Sequence, residues 1–263
     1  MSNTNKDGTV IRGGGASIDC SNIANGYITV SHNGADNQKR KARINRQQLF
    51  SLPLDGLAKA LPLCFGDGDY LLEVFRQISG EKYSTLISQT VEVKLNSQFE
   101  PYIHPNTYCE YNSGSLCVDK AAKVCTGITG DAGRVKAIYR YVADNVSYDA
   151  KLAESVQEKK EWLPDPDEVM WTGKTICWGY ASLMAAMCRS QGIPCKICVG
   201  WSGEVWHAWN EVYTRDCGNI YGVAVKAGAW NRFDATFMDS SNCSAAAIAL
   251  IENDKAWQVS YYG

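Results

Sequence analysis

The sequence has little histidine, no long apolar run and no strongly basic region. Its 263 residues include only three histidines. No apolar run approaches the roughly 20 residues that a membrane-spanning helix needs, so we predict no membrane span. The densest basic cluster, Lys39 to Lys41 with Arg43 and Arg46, alternates with polar residues in a chain of formal net charge −2. A solvated loop explains this cluster better than a nucleic-acid interface does, and we predict no nucleic-acid partner.

The usual signatures of metal binding are also missing. There is no HExxH motif, no EF-hand loop and no second Cys-x-x-Cys at zinc-ribbon distance from Cys195–Cys198. That one pair follows a proline in a strand-like run, which would point Cys195 and Cys198 to opposite faces. We therefore predict no metal site and no cofactor.

Cysteine, by contrast, is abundant, with eleven residues in the chain. The odd number leaves at least one cysteine unpaired within the chain. Most are best explained as small buried hydrophobic residues. If the protein is exported, a few disulfides are expected.

The N-terminal part of the chain has the composition that is typical of β-strands. The stretch 1–15 lacks the apolar core of a signal peptide, and we expect a flexible leader there. After it, "GYITV", "DYLLEVFRQI" and "YSTLISQTVEVKL" are rich in β-branched and aromatic residues. "SGEK" at Ser79–Lys82 is a plausible hairpin turn between two of these strands. The pattern predicts a small immunoglobulin-like β-sandwich over 16–97.

Helical periodicity appears in the remainder, 98–263, which we predict to be a second domain. Its first helix is marked by apolar residues that share one helical face, namely Val135, Ile138, Tyr139, Val142 and Val146. The stretch "KTICWGYASLMAAMCRSQGIP" predicts another, with Thr175 as the N-cap and with Gly192 and Pro194 ending it. Cys177 would then lie in the first turn of a largely buried helix.

That position suits a nucleophile. The unpaired N–H groups and the partial positive charge of a helix N-terminus favour a thiolate, and they also stabilise an oxyanion formed on an attacked acyl carbon. A thiol nucleophile needs a base, and the base needs an orienting partner. His207 in "HAWNEVY" and Asp234 in "WNRFDATF" follow Cys177 on predicted strands.

Each residue alone has an ordinary structural explanation. Cys177 could be a core cysteine, His207 a strand histidine among aromatic residues, and Asp234 a turn or capping residue. The conjunction favours the catalytic interpretation, because each residue lies on the element that its role requires.

The stretch "GKTICWGYASLMAAMCRSQGIPCKICVGW", followed by "HAWNEVY" and "WNRFDATF", resembles the transglutaminase-like superfamily, in the branch found in bacterial exported proteins. The resemblance runs from roughly Val135 to Phe237. It implies an α+β fold with a papain-like core, in which helices pack on an antiparallel sheet. The β-rich N-terminal part resembles the sandwich that often precedes this core.

The resemblance also implies residue roles. Cys177 would be the nucleophile, His207 the general base and acid, and Asp234 the group that orients His207. The backbone N–H of Cys177 would donate to the oxyanion, with Tyr148 or Trp171 as the second donor. The third motif reads Asp-Ala-Thr where many relatives have Asp-Pro-Thr, which loosens the turn but keeps the carboxylate.

Two further aromatic residues are assigned to the same region. Trp178 either covers the core or narrows the acyl site. Trp209 is one of three tryptophans near His207, with Trp201 and Trp206, of which at least one is a candidate for a wall of the cleft; the alternative for all three is the core.

The implied function is acyl transfer through a thioester on protein or peptide substrates, by a protease or a transglutaminase. The triad does not distinguish hydrolysis from crosslinking. Cell-surface or cell-wall-linked substrates and an extracellular or cell-surface location are the family's expectation, and a cytoplasmic location stays open. The alternative function is a non-catalytic binding or adhesion module on the same fold.

Overall fold

The computed structural model describes residues 3–4, 9–33, 38–45, 49–159, 162–241 and 244–263. The chain divides into two compact units, Met1–Thr107 and Tyr108–Gly263. The boundary between the two units therefore lies after Thr107, whereas the sequence analysis placed the domain boundary after residue 97. The reason is that the connecting stretch is tied to the first unit: the Tyr102 hydroxyl donates to the Cys64 carbonyl over 2.9 Å, and the Thr107 N–H donates to the Ala60 carbonyl over 2.9 Å.

The first unit consists of two antiparallel sheets. Its strands are β1 (Asn3–Thr4), β2 (Val10–Gly13), β3 (Ala16–Asp19), β4 (Tyr27–His32), β5 (Arg40–Asn45), β6 (Leu49–Leu54), β7 (Lys59–Pro62), β8 (Gly68–Ser79) and β9 (Lys82–Val93). One sheet has the order β1-β2-β3-β4-β7 and the other β6-β5-β8-β9. The hairpin turn predicted at Ser79–Lys82 is confirmed, since β8 ends and β9 begins there. The immunoglobulin-like sandwich stays a prediction.

Alternating positions of these strands are buried. In the first sheet Ile11, Ile18 and Ile28 are almost fully buried, and in the second Ile44 and Leu72 are. This is the period of two that a sheet with one buried face requires. Because Val10–Gly13 pairs with Ala16–Asp19 as a strand, the flexible leader expected over 1–15 does not describe those four residues. Arg46 of the basic cluster lies outside the described residues.

The second unit mixes helices with an antiparallel sheet. Its helices are α1 (Leu116–Val124), α2 (Asp131–Asn145), α3 (Ala150–Lys159), α4 (Pro166–Thr172), α5 (Cys177–Ser190), α6 (Ala235–Ser241) and α7 (Ala245–Glu252). Its strands are β10 (Ser147–Tyr148), β11 (Lys174–Thr175), β12 (Cys195–Ser202), β13 (Val205–Thr214), β14 (Gly218–Ile220), β15 (Val223–Val225), β16 (Ala229–Phe233) and β17 (Trp257–Tyr262). The fold class is α+β, as predicted.

The central sheet has the order β16-β13-β12-β17, and α5 packs against β12 and β13. Every residue of α5 from Gly179 to Arg189 is buried, because α1, α2 and α4 also pack on it. The predicted apolar face of α2 is confirmed, with Val135, Ile138 and Val142 fully buried. Burial of this apolar surface stabilises the unit and holds the start of α5 beside the sheet.

The N-terminus of α5 differs from the prediction in one detail. The N-cap is Ile176, and no side chain caps the helix there. Thr175 belongs to β11, which pairs in parallel with β10, and its buried hydroxyl has no hydrogen-bond partner among the described residues. The first N–H groups of any helix have no partner inside the helix. Because no side chain caps α5, these groups are available to a ligand.

The cysteines are small core residues for the most part. The ten that lie in the described part of the chain are all free thiols, and the eleventh, Cys243, lies outside it. Five of them are fully buried, namely Cys109, Cys117, Cys188, Cys195 and Cys198. The prediction that most cysteines are small buried hydrophobic residues is therefore confirmed for these five. Cys177, in contrast, is only half-buried.

Candidate active site

His207 and Asp234 form the centre of the candidate site. The Nε2 atom of His207 lies 2.6 Å from the Oδ2 atom of Asp234, and both residues are almost fully buried. His207 lies on β13, and Asp234 follows the end of β16 by one residue. Because these strands are neighbours in the sheet, the antiparallel pairing Asn210↔Phe233 brings the two residues together.

Asp234 is fixed at three points. Its second carboxylate oxygen accepts the Phe237 backbone N–H over 3.0 Å, and its carbonyl accepts the Tyr139 hydroxyl over 2.8 Å. Asp234 is therefore not on a strand, as the sequence suggested, but at the junction between β16 and α6. It caps α6 with one oxygen and holds His207 with the other, so the structural and catalytic interpretations of this residue are compatible.

The imidazole of His207 connects Asp234 to Cys177. Burial lowers the pKa of His207, but the charge of Asp234, its hydrogen bond and a further hydrogen bond with Cys177 outweigh burial and raise the pKa to about 10. Since Nε2 is engaged by Asp234, Nδ1 is the ring nitrogen left for the thiol. The ring also stacks on Phe237, with centroids 4.8 Å apart, which restricts its rotation.

A hydrogen bond across the unit sets the distance between the two elements that carry Cys177 and His207. The side-chain amide of Asn210, on β13, donates to the Ala181 carbonyl of α5 over 2.9 Å. The same amide donates to the Lys196 carbonyl over 3.1 Å. Ala181 is one turn from Cys177 and Asn210 is three residues from His207, so this contact fixes the helix start relative to the imidazole.

Cys177 opens into a cavity of about 460 Å³. Its wall is formed by Tyr148, Ala153, Val156, Trp162, Ile176, Cys177, Trp178, Val199, Trp206, His207, Ala208 and Tyr261. The thiol and the imidazole are therefore both reachable from the same cavity. A cavity of this size falls in the range of roughly 300–1,000 Å³ that is usual for ligand sites.

Two of the four predicted cleft residues line this cavity. Tyr148 does, and so does Trp178, whose buried indole N–H has no hydrogen-bond partner among the described residues. Trp171 is 83% exposed at the end of α4 and is not part of the wall. Trp209 is 1% exposed and packs in a core cluster with Cys198 and Trp257. The assignments of Trp171 and Trp209 to the cleft were wrong, because one side chain faces solvent and the other faces the core.

The structure adds wall residues that the sequence analysis did not consider. Trp162 stacks edge-on against Trp178, with centroids 6.1 Å apart, and Tyr261 comes from β17, which pairs with β12. Val156 and Ala153 come from α3. Nothing in the local sequence pattern signals that these residues meet, because the contacts are set by strand pairing and helix packing.

The pKa values of both tyrosines of the cavity are raised, in part by Cys177. Burial, and after it the charge of Cys177, raise the pKa of Tyr261 to about 12. Burial and then Cys177 also raise the pKa of Tyr148. Both hydroxyls therefore remain protonated at neutral pH and are able to donate hydrogen bonds to a bound substrate.

In the part of the chain that the structure describes, no three His, Cys, Asp or Glu side chains are grouped to hold a metal ion. The cavity presents the thiol of Cys177 and the imidazole of His207 among mostly apolar side chains, and the Asp234 carboxylate is hydrogen-bonded to that imidazole.

No helix of the described residues is both long and apolar enough to cross a membrane.

Comparison with known proteins identifies this unit. Residues 118–235 match the model of the Transglutaminase-like superfamily. This stretch is a transglutaminase-like core. It contains Cys177, His207 and Asp234, and it overlaps most of the range, Val135 to Phe237, in which the sequence showed the resemblance. The predicted relationship is confirmed.

Two curated relatives match the chain over part of their length. They are Kyphoscoliosis peptidase from mouse and from human, each 33% identical over 119 residues. The match covers 41% of this chain and 16% of each relative. The chain thus spans about one sixth of the curated relatives that it matches.

Two solved structures match most of the chain at low sequence identity. A proposed cysteine protease of Cytophaga hutchinsonii superposes with a TM-score of 0.41 at 16% identity, over 85% of this chain and 86% of that one. A proposed protease of Parabacteroides distasonis superposes with a TM-score of 0.32 at 10% identity, over 89% of this chain and 70% of that one.

Proposed function

We propose that this protein is a cysteine-dependent acyl hydrolase or acyl transferase, of the protease or transglutaminase type, that acts on protein or peptide substrates through a thioester. The observation that carries the proposal is the position of His207. Its imidazole is hydrogen-bonded to Asp234 over 2.6 Å, and it lines the same cavity as Cys177. The transglutaminase-like core supports the same general activity.

In the first half of the reaction, the sulfur of Cys177 attacks the carbonyl carbon of an amide. A C–S bond forms, and the carbonyl oxygen becomes an oxyanion. The N–H groups at the start of α5 lie beside the sulfur and would stabilise that charge, with the Tyr148 hydroxyl as a second donor. The C–N bond then breaks, and protonated His207 gives its proton to the leaving amine.

In the second half, water or an amine attacks the thioester. His207 takes the proton from the attacking group as the new C–O or C–N bond forms. The C–S bond breaks, and Cys177 leaves as a thiolate beside protonated His207. Asp234 keeps the imidazole in one orientation and stabilises its charged form throughout. Water gives hydrolysis, and a lysine amine gives a crosslink.

The alternative of a non-catalytic binding module gains no support from this geometry. Binding alone does not require a buried histidine–aspartate pair whose imidazole lines the same cavity wall as a thiol. Burying such a pair costs the solvation free energy of both ions. A catalytic role of the pair gives a reason for that cost, and a binding role does not. The extracellular location, the cell-surface-linked substrates and the bacterial branch of the family stay predictions.

The first test is selective alkylation. Brief iodoacetamide treatment near pH 6, followed by peptide mapping, should label Cys177 at least about tenfold faster than the exposed Cys217, because a neighbouring imidazole base activates a thiol nucleophile. His207→Ala should remove this preference. His104→Ala, a histidine of the first unit, is the matched control and should leave it intact. Equal and slow labelling of Cys177 and Cys217 in the wild-type protein would refute the proposal.

A second test separates hydrolysis from transfer. Casein peptides are incubated with the protein, with and without a fluorescent primary amine, and the products are analysed by mass spectrometry. New peptide termini indicate hydrolysis, and amine-labelled glutamine residues indicate transfer. Cys177→Ala, which removes the nucleophile and leaves the rest of the cavity in place, is the control and should give neither product.

A further inference from the structure

The wall of the cavity beside Cys177 is almost entirely apolar. Apart from Cys177 and His207, it consists of five aromatic and five aliphatic side chains. Among the described residues, no Asp, Glu, Lys or Arg lines it. A charged substrate side chain would lose its hydration there without gaining an ion-pair partner, and that loss is large for a buried charge.

The apolar surface continues outward from the cavity. Trp206 lines the cavity but is 48% exposed, and it contacts Trp201 edge-on with centroids 5.3 Å apart. Trp206 also contacts Tyr261, with ring centroids 6.4 Å apart. Val205, beside the turn that joins β12 to β13, is 63% exposed. Exposed apolar patches of this kind are usually binding surfaces, and this one adjoins the nucleophile.

Part of the cavity wall comes from α3. Ala153 and Val156 contribute aliphatic side chains to a lining that also contains the rings of Trp162 and Trp178. Both kinds of side chain favour an apolar ligand group. The cavity volume of about 460 Å³ is sufficient for a phenylalanine or leucine side chain together with its backbone.

We propose that this cavity is a specificity pocket, and that the enzyme selects acyl substrates with a large aromatic or branched aliphatic side chain next to the attacked carbonyl. This inference rests on the proposed function of Cys177, in the form in which the attacked carbonyl belongs to a peptide bond, and adds the class of substrate. A side chain such as that of phenylalanine or leucine would contact Trp178, Trp206 and Val156 and would be removed from water. Glutamate and lysine side chains would be excluded.

The test uses the chloromethyl ketones of N-acetyl amino acids as probes, in which the side chain stands on the carbon next to the carbonyl. The sulfur of Cys177 displaces chloride, so that a C–S bond forms as the C–Cl bond breaks, and the rate reports binding next to the thiol. The phenylalanine and leucine probes should alkylate Cys177 about tenfold faster than the glutamate and lysine probes, each rate being divided by that of plain chloroacetamide. Equal normalised rates for the four probes would overturn the inference.

Variants of the wall residues test whether the preference among the probes arises in this cavity. Ala153→Phe fills the pocket and should slow the phenylalanine probe far more than chloroacetamide. Glu154→Phe places the same side chain on the exposed side of α3 and should change neither rate. If Ala153→Phe fails to fold, Trp206→Ala removes one wall and should also reduce the preference. A preference unchanged in a folded Ala153→Phe or Trp206→Ala protein would overturn the inference.

The outcome also separates this inference from the proposed function. If chloroacetamide labels Cys177 no faster than Cys217, the thiol is not activated and the proposed function fails. If chloroacetamide labels Cys177 selectively but the four probes react alike, the thiol is activated and only the specificity pocket is refuted.

Discussion

The side-chain amide of Asn210 donates to the carbonyl oxygen of Ala181 over 2.9 Å and so joins the strand of His207 to the helix of Cys177. Asn210 is 1% exposed, so neither this donor nor its acceptors have water as an alternative partner. The spacing between Cys177 and His207 therefore depends on a third buried residue.

Removal of this amide should affect both stability and reactivity. Asn210→Ala removes the side-chain donor that the Ala181 and Lys196 carbonyls share, and we expect it to lower the free energy of unfolding by about 1–3 kcal/mol. The labelling of Cys177 near pH 6 should also slow, because the distance between thiol and imidazole is no longer fixed. Urea denaturation and iodoacetamide labelling measure the two effects.

The matched control is Asn219→Ala, which removes an exposed asparagine with one local hydrogen bond, to the Gly222 N–H. Its effect on stability should stay within about 0.5 kcal/mol, as is usual for surface substitutions. If Asn210→Ala behaves like this control in both measurements, Asn210 does not position the site.

The charge of Asp234 should set the titration of His207. In Asp234→Asn the amide oxygen is still able to accept the Phe237 N–H, but the negative charge is lost. We therefore expect the pKa of His207, about 10 in the wild-type protein, to fall towards the ordinary imidazole value. NMR titration of the imidazole signals measures this, and the chain has only three histidines to assign.

Asp254→Asn removes an exposed carboxylate that pairs with Arg232, away from the imidazole, and should leave the titration of His207 unchanged. A His207 pKa that is the same in the wild-type and Asp234→Asn proteins would show that Asp234 does not hold the imidazolium.

Stability should depend on pH in a defined direction. The pKa of His207 is about 10 in the folded protein and about 6.5 for an unperturbed imidazole, so folding favours the protonated form. This contribution is fully present below about pH 6.5 and is lost as the pH rises through about 10. The difference in free energy of unfolding between the wild-type and Asp234→Asn proteins should therefore shrink over that interval.

Urea denaturation at several pH values measures the difference, with the dependence on urea concentration expected to stay the same in both proteins. A difference that grows between neutral pH and about pH 10 would have the wrong sign for a raised pKa and would contradict the assignment.

Two aromatic residues predicted near the oxyanion should behave differently. Tyr148 lines the cavity, and removal of its hydroxyl in Tyr148→Phe should lower the turnover of a peptide substrate by about 10²-fold, the usual loss for one oxyanion donor. Trp171 faces solvent, and Trp171→Ala should keep turnover within about twofold.

Steady-state kinetics on a peptide substrate identified in the casein digest tests both variants. The alkylation of Cys177 by iodoacetamide should be nearly unchanged in Tyr148→Phe, because no oxyanion forms in that reaction. Equal losses of turnover in the two variants would contradict the placement of Tyr148 as the second donor.

Some of this site was readable from the sequence alone. The 3.6-residue period from Val135 to Val146 and the Gly192–Pro194 stop define helices through local backbone preferences, which do not require the rest of the fold. They place Cys177 at a helix start. The order of Cys177, His207 and Asp234 along the chain then gave the candidate triad, since each residue type has few roles at such a position.

The tertiary structure alone decided which aromatic residues meet the thiol. Trp206 and Trp209 are three residues apart on one strand and have equal local propensity, yet one lines the cavity and the other lies in the core. Tyr261 reaches the site only through the pairing of β17 with β12, a contact between distant parts of the chain. Local preferences determine helices and strands, but only packing determines which faces are buried together, and the walls of this pocket are made by packing.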